Sequence, residues 1–340
     1  MPMNTELTAL QKMQNAANQR GNEALTKAKH HIAQKFTQED PLSEALRHFS
    51  SITLSHALPV FPALISLSHD AVADKPKNTS GVGTAILLIA GAADVHDDII
   101  DRTKTKGPNK TVFGKFGAEI ATLTGDILLT EGLSMLEKET RKIADGKQDP
   151  VLELVTEATF EISKAEAMER LLQGKLDASP KEMLEIINLK ASVPKAVMKI
   201  GATLGNAQPR EEETLGESGS AFGIISLVAE ELLDLADAME LKNRLKYECP
   251  PLPFLYAMQN ADLKTKTNAL LESSHFRISN LEKISQIVLN SAETQKLMGE
   301  MESLGQNAND LLLKIRNKGI RETLRLFPAA SIALLHSLCA

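Results

Sequence analysis

Aromatic residues are scarce: they make up 4% of the 340 residues, with no Trp and only two Tyr. Sheets draw on aromatic and β-branched side chains, so this scarcity, beside many Ala, Leu, Glu and Lys, turns the expectation towards helices. Cysteine is nearly lacking too. Cys249 and Cys339 have neither metal-ligand spacing nor the density of a disulfide scaffold, which suits a reducing compartment and makes the cytoplasm the expected location. Positive charge is in deficit. With a net charge of −6 nothing suggests a general affinity for nucleic-acid phosphates, and an acidic protein that holds a polyanion needs metal ions or clustered Lys and Arg to do so. No apolar run reaches the ~20 residues that cross a bilayer, so no membrane span is expected. The Ala329–Ala340 stretch is short, is broken by Ser and His, and is expected to pack on the body. Asn4, Glu6 and Gln11 interrupt the continuous apolar stretch that a signal peptide requires.

What is present is an ordinary soluble balance, 43% hydrophobic and 24% charged, with ample material for a core. Thr5–Phe36 carries helical spacing and reads as one amphipathic helix or two. Asp40 and Pro41 form a helix start, with Asp40 as cap and Pro41 at the first position. Ile52–Val72 is apolar but interrupted by Pro59 and Pro62, and the Lys, Pro, Ser and Gly of Asp74–Gly83 spell a loop. Helices are expected over Thr84–Ile100, Thr111–Leu136, Leu152–Leu176, Pro180–Leu204, Glu211–Met239 and Leu252–Ala257, with a flexible basic loop at Thr103–Asn109 and shorter helices to the C-terminus. Strand alternation and short repeats are lacking, so residues 1–340 are expected to form one all-α domain of ten or more helices.

Within that plan Thr84–Ile100 is the most informative segment. The almost purely apolar run ILLIAGAADV ends in His96-Asp97-Asp98-Ile99-Ile100-Asp101. On a helix, residues three and four apart share a side, so the three carboxylates converge. Three anions held so close are tolerable at an exposed helix end or where a hard cation such as Mg2+ neutralises them, and Mg2+ characteristically bridges carboxylates to phosphates. A plain solvated helix end is the alternative. A second cluster, Glu230, Glu231 and Asp234, repeats the same offsets after another apolar run, FGIISLVA. Two such corners meeting around a cavity would let metal ions clamp one diphosphate; the alternative is a surface patch paired with nearby lysines.

At this point the chain resembles the trans-isoprenyl diphosphate synthase, or polyprenyl synthetase, family over about residues 50–260. His96–Asp101 looks like the family's first aspartate-rich motif, followed by Thr111-Val112-Phe113-Gly114-Lys115-Phe116-Gly117 and Gly125-Asp126. Lys190 stands where the family has the lysine of its Lys-Thr pair, here followed by Ala191. Glu230-Glu231-Leu232-Leu233-Asp234 falls where the second motif belongs, and Leu252–Ala257 resembles the stretch that closes that region. The resemblance implies an isoprenoid-synthase-type helical bundle around a central cavity and head-to-tail condensation, in which an allylic diphosphate ionises, isopentenyl diphosphate attacks the cation and a proton leaves. It further implies Mg2+ on Asp97, Asp98, Asp101, Glu230, Glu231 and Asp234, with Asp97, Asp98 and Lys190 as catalytic residues. Substrate contacts are expected from Lys106, Lys190, Gln173, Lys242 and Arg244. It implies a homodimer as well, with Ile120–Leu136 as the candidate surface, or a heteromer with another prenyl synthase.

Departures from the family pattern fall at the substrate sites. Leu58, Pro59 and Phe61 occupy the positions of the cations that hold isopentenyl diphosphate. Lys106 is the best remaining candidate of the basic pair after the first motif, Ser226-Leu227 replaces a Phe-Gln pair, and Cys249 replaces a lysine, although Lys242, Arg244 and Lys246 lie close by. Three readings follow: a prenyl diphosphate synthase with a rewired second-substrate site, a terpene-synthase-like enzyme that ionises a single prenyl diphosphate, and a non-catalytic partner subunit of an active synthase. A structural helical protein with accidental motifs would require many ordered coincidences. Ala92 and Ala93, just before the first motif, suggest either a deep cavity with a longer product or simply close helix packing; His96 reads as a packing residue rather than a base.

Overall fold

The computed structural model describes residues 3–272 and 276–338, with side chains from residue 9 onward, so Cys339 and the side chains of Asn4 and Glu6 lie outside the described residues. Fifteen α-helices, one short π-helical segment and one minimal hairpin make up the regular structure of the described residues, in agreement with an all-α chain. The helices are α1 (Met3–Lys35), α2 (Pro41–Phe49), α3 (Val60–Val72), α4 (Ser80–Ile100), α5 (Val112–Ile143), α6 (Gln148–Leu172), α7 (Pro180–Lys190) and α8 (Ser192–Leu204). They continue as α9 (Pro209–Ala236), α10 (Ala238–Tyr247), α11 (Leu252–Ala257), α12 (Ala261–Glu272), α13 (Ile278–Leu289), α14 (Ala292–Leu312) and α15 (Lys318–Leu338). Strands β1 (Thr105–Lys106) and β2 (Asn109–Lys110) pair antiparallel, where a flexible loop was expected.

Local chemistry explains most boundaries. Asp40 caps α2 by accepting the Leu42 and Ser43 amides, and Ser179 and Glu182 form a capping box at the start of α7. The expected Pro180–Leu204 helix is two helices: α7 is capped at Ala191, and Pro194, which has no amide hydrogen, sits in the first turn of α8. The expected Glu211–Met239 helix stops at Ala236, because Asp237 turns its side chain to the Met239 and Glu240 amides and starts α10. Thr5–Phe36 is a single helix, and Ile52–Val72 divides into a π-helical segment, Ser50–Leu54, and α3. Among the described residues no helix is long and apolar enough to cross a membrane, and within Ala329–Ala340 the side chains of Ala330, Ala333 and Leu335 are buried.

By contacts the chain divides into two compact units. The first comprises Gln14–Leu154 and Val197–Glu212. Its core gathers Leu46 and Phe49 of α2, Leu88, Ala92 and Val95 of α4, and Ala121 and Leu128 of α5. Helices α4 and α5 run antiparallel, since Gly81 lies against Glu139, Gly132 against Ala85 and Ile89, and Gly125 against His96. Glu23 of α1 ties down the turn before α4: it accepts hydrogen bonds from Asn78 (2.9 Å) and Ser80 (3.0 Å) and pairs with Lys27 (2.9 Å). Those partners, Asn78 foremost, lower its pKa to about 2 from the ordinary 4.5. Such a depressed acid contributes stability that is complete above pH 4.5 and is lost as the pH falls through 4.5 towards 2. Glu23→Gln should therefore flatten that part of the acid-denaturation curve. The effect should stay below about 1 kcal/mol, because solvent screens the exposed group.

The second unit comprises Met1–Met13, Val155–Ala196 and Glu213–Ala340. Its core draws on Met183 and Ile186 of α7, Ile225, Val228 and Leu232 of α9, Leu245 of α10, Phe254 of α11, Leu281 and Ile284 of α13 and Leu297 of α14. The short helix α11 packs on α7, α13 and α14.

Candidate functional site

In the first unit α4 ends where its apolar face runs out. Asp98 lies on the buried side, 3% exposed, while Asp97 is half-buried and Asp101 forms the C-cap. Arg102 then turns with φ +58°, a left-handed conformation uncommon for a side chain of its size, and reverses the chain into the hairpin. That hairpin brings Lys106 back onto α4: its ammonium lies 2.5 Å from Asp94 and 3.0 Å from Oδ1 of Asp98. The contact to Asp98 is an ion pair without hydrogen-bond alignment, so the buried Oδ1 has no hydrogen-bond partner. Burial, opposed by Lys106 and reinforced by Asp94 and Asp101, raises the Asp98 pKa to about 6. Burial alone would lower the Lys106 pKa, yet Asp94 and Asp98 more than reverse this and raise it. Lys106 was expected to meet substrate; it is occupied by the carboxylates of the motif itself.

Two glycines make this arrangement possible. A Cβ on Gly125 would fall 2.3 Å from Nε2 of His96, so the glycine admits the imidazole, which leans on α5 towards the Thr122 carbonyl and Asp126, both at 3.4 Å. A Cβ on Gly114 would fall 1.9 Å from the Lys104 carbonyl oxygen, so only glycine lets α5 start under the loop that carries Lys106. Gly114→Ala must push backbone against backbone, and we expect a loss of about 1–3 kcal/mol in urea unfolding. Alanine tolerated without loss would refute the contact.

The second acidic segment, in the other unit, is organised around Arg244. This guanidinium is buried, 6% exposed, with Nη2 2.8 Å from Glu231, Nη1 on Asp234, and Nε donating to the Cys249 carbonyl (2.8 Å). Glu231, 7% exposed, also accepts the Leu252 amide (2.8 Å), so both of its oxygens are satisfied by protein. Burial raises the Glu231 pKa, with Arg244 and the Leu252 amide working against it. Arg244, expected to meet substrate, is here buried among carboxylates, and Glu231, expected on a metal, has its two oxygens engaged by Arg244 and the Leu252 amide. Glu230 reaches solvent at the helix surface, yet the protein around it, and then the Asp234 and Glu231 carboxylates, push its pKa up to about 7.

Lys190 pairs with Glu166 (2.9 Å) and Glu169 (2.5 Å), and these carboxylates raise its pKa despite the opposing effect of burial. Gln173, another expected substrate contact, donates its side-chain amide to the Tyr247 carbonyl, and the Gly174 amide donates to Glu248 (2.9 Å); the pair staples the α6–α7 turn to the end of α10. Lys242 stands half-buried on α10. Cys249 is a buried thiol pushed up to about 12 by burial. Of the positions where cations were expected, Pro59 is wedged against α1, since a Cβ on Gly21 would lie 2.4 Å from its carbonyl oxygen. Asp94, Glu166 and Glu169 escaped notice in the sequence. Asp94 is one helical turn before Asp98 and so was legible by spacing, whereas nothing local links Glu166 or Glu169 to Lys190. A solvent-open groove of about 610 Å3 between α12 and α13, lined by Lys266, Ala269, Leu270, Lys283, Gln286 and Ile287, is lined by none of these residues.

Among the described residues no group of three or more His, Cys, Asp or Glu forms a ready-made metal cage. Mg2+ does not require one: it keeps several waters and binds through one or two carboxylates plus substrate phosphates. The residues fit such an ion, because Asp98 presents a buried oxygen without a hydrogen bond, on the same helix end as Asp97 and Asp101, and all the donors are hard oxygens.

Residues 43–288 match the family model described as polyprenyl synthetase. A short chain isoprenyl diphosphate synthase of Methanothermobacter thermautotrophicus is 28% identical over 183 residues, 53% of this chain and 54% of that one. A geranylgeranyl diphosphate synthase of Sulfolobus acidocaldarius is 26% identical over 182 residues, 53% of this chain and 55% of that one. The chain thus spans about half the length of these curated relatives. A polyprenyl synthase from Caulobacter crescentus, solved with calcium and isoprenyl diphosphate, superimposes with a TM-score of 0.79 at 17% identity, covering 94% of this chain and 97% of that one. For a geranylgeranyl pyrophosphate synthetase from Pyrococcus horikoshii the TM-score is 0.75 at 20% identity, with 92% and 98% covered. At such identities the likeness establishes the fold.

Proposed function

The chain belongs to the polyprenyl synthetase family, and from that membership we propose that it is a trans-prenyltransferase that condenses an allylic prenyl diphosphate with isopentenyl diphosphate. One observation carries the proposal: a carboxylate oxygen of Asp98 is kept buried without a hydrogen bond at the end of an apolar helix, between two further aspartates. Burying a carboxylate among like charges, with the Lys106 ammonium as its counter-charge, is costly, and a fold that retains one has a use for it. Asp97, Asp98 and Asp101 in one unit, and separately Glu230 and Asp234 in the other, are the residues we assign to hold Mg2+. When bound, the ion supplies positive charge that stabilises the departing diphosphate. Lys106 would then exchange its carboxylate partners for phosphate oxygens. Leu87 and Ala92 of α4 keep water from the allylic cation while the isopentenyl double bond attacks it and a proton leaves.

A second observation favours a different outcome. With Leu58, Pro59 and Phe61 at the expected cation positions, and Pro59 spent on helix packing, the site for isopentenyl diphosphate has lost its usual charge. Ionisation of a single prenyl diphosphate, or service as a partner subunit, would need no such site. Purified protein given labelled isopentenyl diphosphate, an allylic primer and Mg2+ separates the three. Chain elongation supports the proposal; release of diphosphate without elongation replaces it with the single-substrate reaction; turnover only after a second synthase is added replaces it with the partner role.

We also propose that a second copy of the chain covers α6. Phe160 and Leu171 are 67% and 70% exposed, and with the exposed Ala167 they follow one helical stripe. In the Ile120–Leu136 surface expected for that contact Ala121, Leu128 and Leu136 are buried, while Leu123 is 49% exposed. Phe160→Glu should shift the protein to monomer in sedimentation; an unchanged mass would exclude this face.

A further inference from the structure

Resting on the proposed function, we infer that Arg244 is a positioning residue that acts through Asp234: it fixes that carboxylate beside Glu230 on one face of α9 and takes up Glu231 as its structural counter-ion. The second acidic segment then offers a ligand the Glu230–Asp234 pair, while its middle residue belongs to the fold.

The geometry assigns each nitrogen of the guanidinium a partner. Nε donates to the Cys249 carbonyl at 2.8 Å and lies 3.5 Å from Glu248, Nη2 donates to Glu231 at 2.8 Å, and Nη1 donates to Asp234. A planar fork with every edge used leaves a carboxylate little rotational freedom, which a lysine ammonium could not impose. Asp234 receives that bond on Oδ2, and its side chain remains 30% exposed. Glu230 and Asp234 are four residues apart and share a helix face, whereas Glu231 is rotated inward, 7% exposed, onto Arg244 and the Leu252 amide. Partners that orient a ligand without touching the ion are worth about 10–100-fold in metal affinity. The spacing of the motif treats its three acids alike; Arg244 separates them.

Titration of Mg2+ into protein with inorganic pyrophosphate, followed by calorimetry, and thermal unfolding of the same variants test this. Arg244→Gln should raise the Mg2+ concentration for half-saturation about tenfold or more. Arg244→Lys, which keeps the charge but not the fork, should fall between Gln and wild type and serves if Arg244→Gln fails to fold. Glu230→Gln should shift half-saturation as strongly as Arg244→Gln, and Glu231→Gln should lower the melting temperature with half-saturation unmoved. If Arg244→Gln and Arg244→Lys lose only melting temperature, or if Glu231→Gln weakens Mg2+ as much as Glu230→Gln, the assignment is overturned. A shift in Glu230→Gln without one in the arginine variants sinks this inference alone. Wild-type protein that binds no pyrophosphate with Mg2+ sinks the proposed site and this inference with it.

Discussion

Asp98→Asn should make the metal-free protein more stable and its turnover about a hundredfold to a thousandfold slower. The two effects have one cause. Asp98 is 3% exposed, faces two other acidic side chains, and has one ammonium as relief, so its pKa rises from 3.8 to about 6. The native state therefore holds the proton more tightly than the unfolded chain, and this residue's contribution falls as the pH rises from 3.8 through about 6. Asparagine has the same shape and no charge to bury. A shift of that size corresponds to about 3 kcal/mol as a ceiling, and a gain of about 1–2 kcal/mol is expected above pH 6, fading towards pH 4. Urea unfolding of wild type and variant across that range, without Mg2+, measures it. Loss of stability in the variant would mean that Lys106 holds Asp98 as a structural ion pair and that the buried oxygen has no functional use.

Glu231→Ala is expected to cost about 3–5 kcal/mol, the largest stability effect in the molecule, because it removes half of a buried ion pair. Arg244 would keep Asp234 but lose its most buried partner, and the Leu252 amide that opens α11 would lose its acceptor. Glu231→Gln retains an acceptor for Leu252 and should cost clearly less. Equilibrium urea unfolding of the two variants decides the point: equal, small losses for both would show that the pair is balanced by its own desolvation. Since α11 packs on α7, α13 and α14, the damage should reach near-ultraviolet circular dichroism well beyond the substituted residue.

Much of the helical plan was legible because its causes are local. Asp40-Pro41 and Ser179-Pro180 announce helix starts through backbone hydrogen bonding that any neighbour-by-neighbour reading can anticipate. The boundary at Ala191 was missed, although Pro194 carried the signal, and so was the boundary at Ala236, where Asp237 competes with a strongly helical context. The hairpin was hidden for a different reason: Lys104–Lys110 has no strand pattern, and its pairing is held by a two-residue turn and by α5 starting under it at Gly114.

By itself the sequence determined that this chain is helical and acidic, and that two apolar helices each end in three carboxylates; periodicity and spacing are properties of neighbouring residues and survive without coordinates. Tertiary structure decided which charges are spent inside the protein. Lys190 went to Glu166 and Glu169, Arg244 to Glu231 and Asp234, Lys106 to Asp94 and Asp98, and Gln173 to a backbone carbonyl. These pairings join residues from 8 to 74 positions apart. A buried charge must find a counter-charge wherever the fold places one, and the order of residues along the chain does not say where that is.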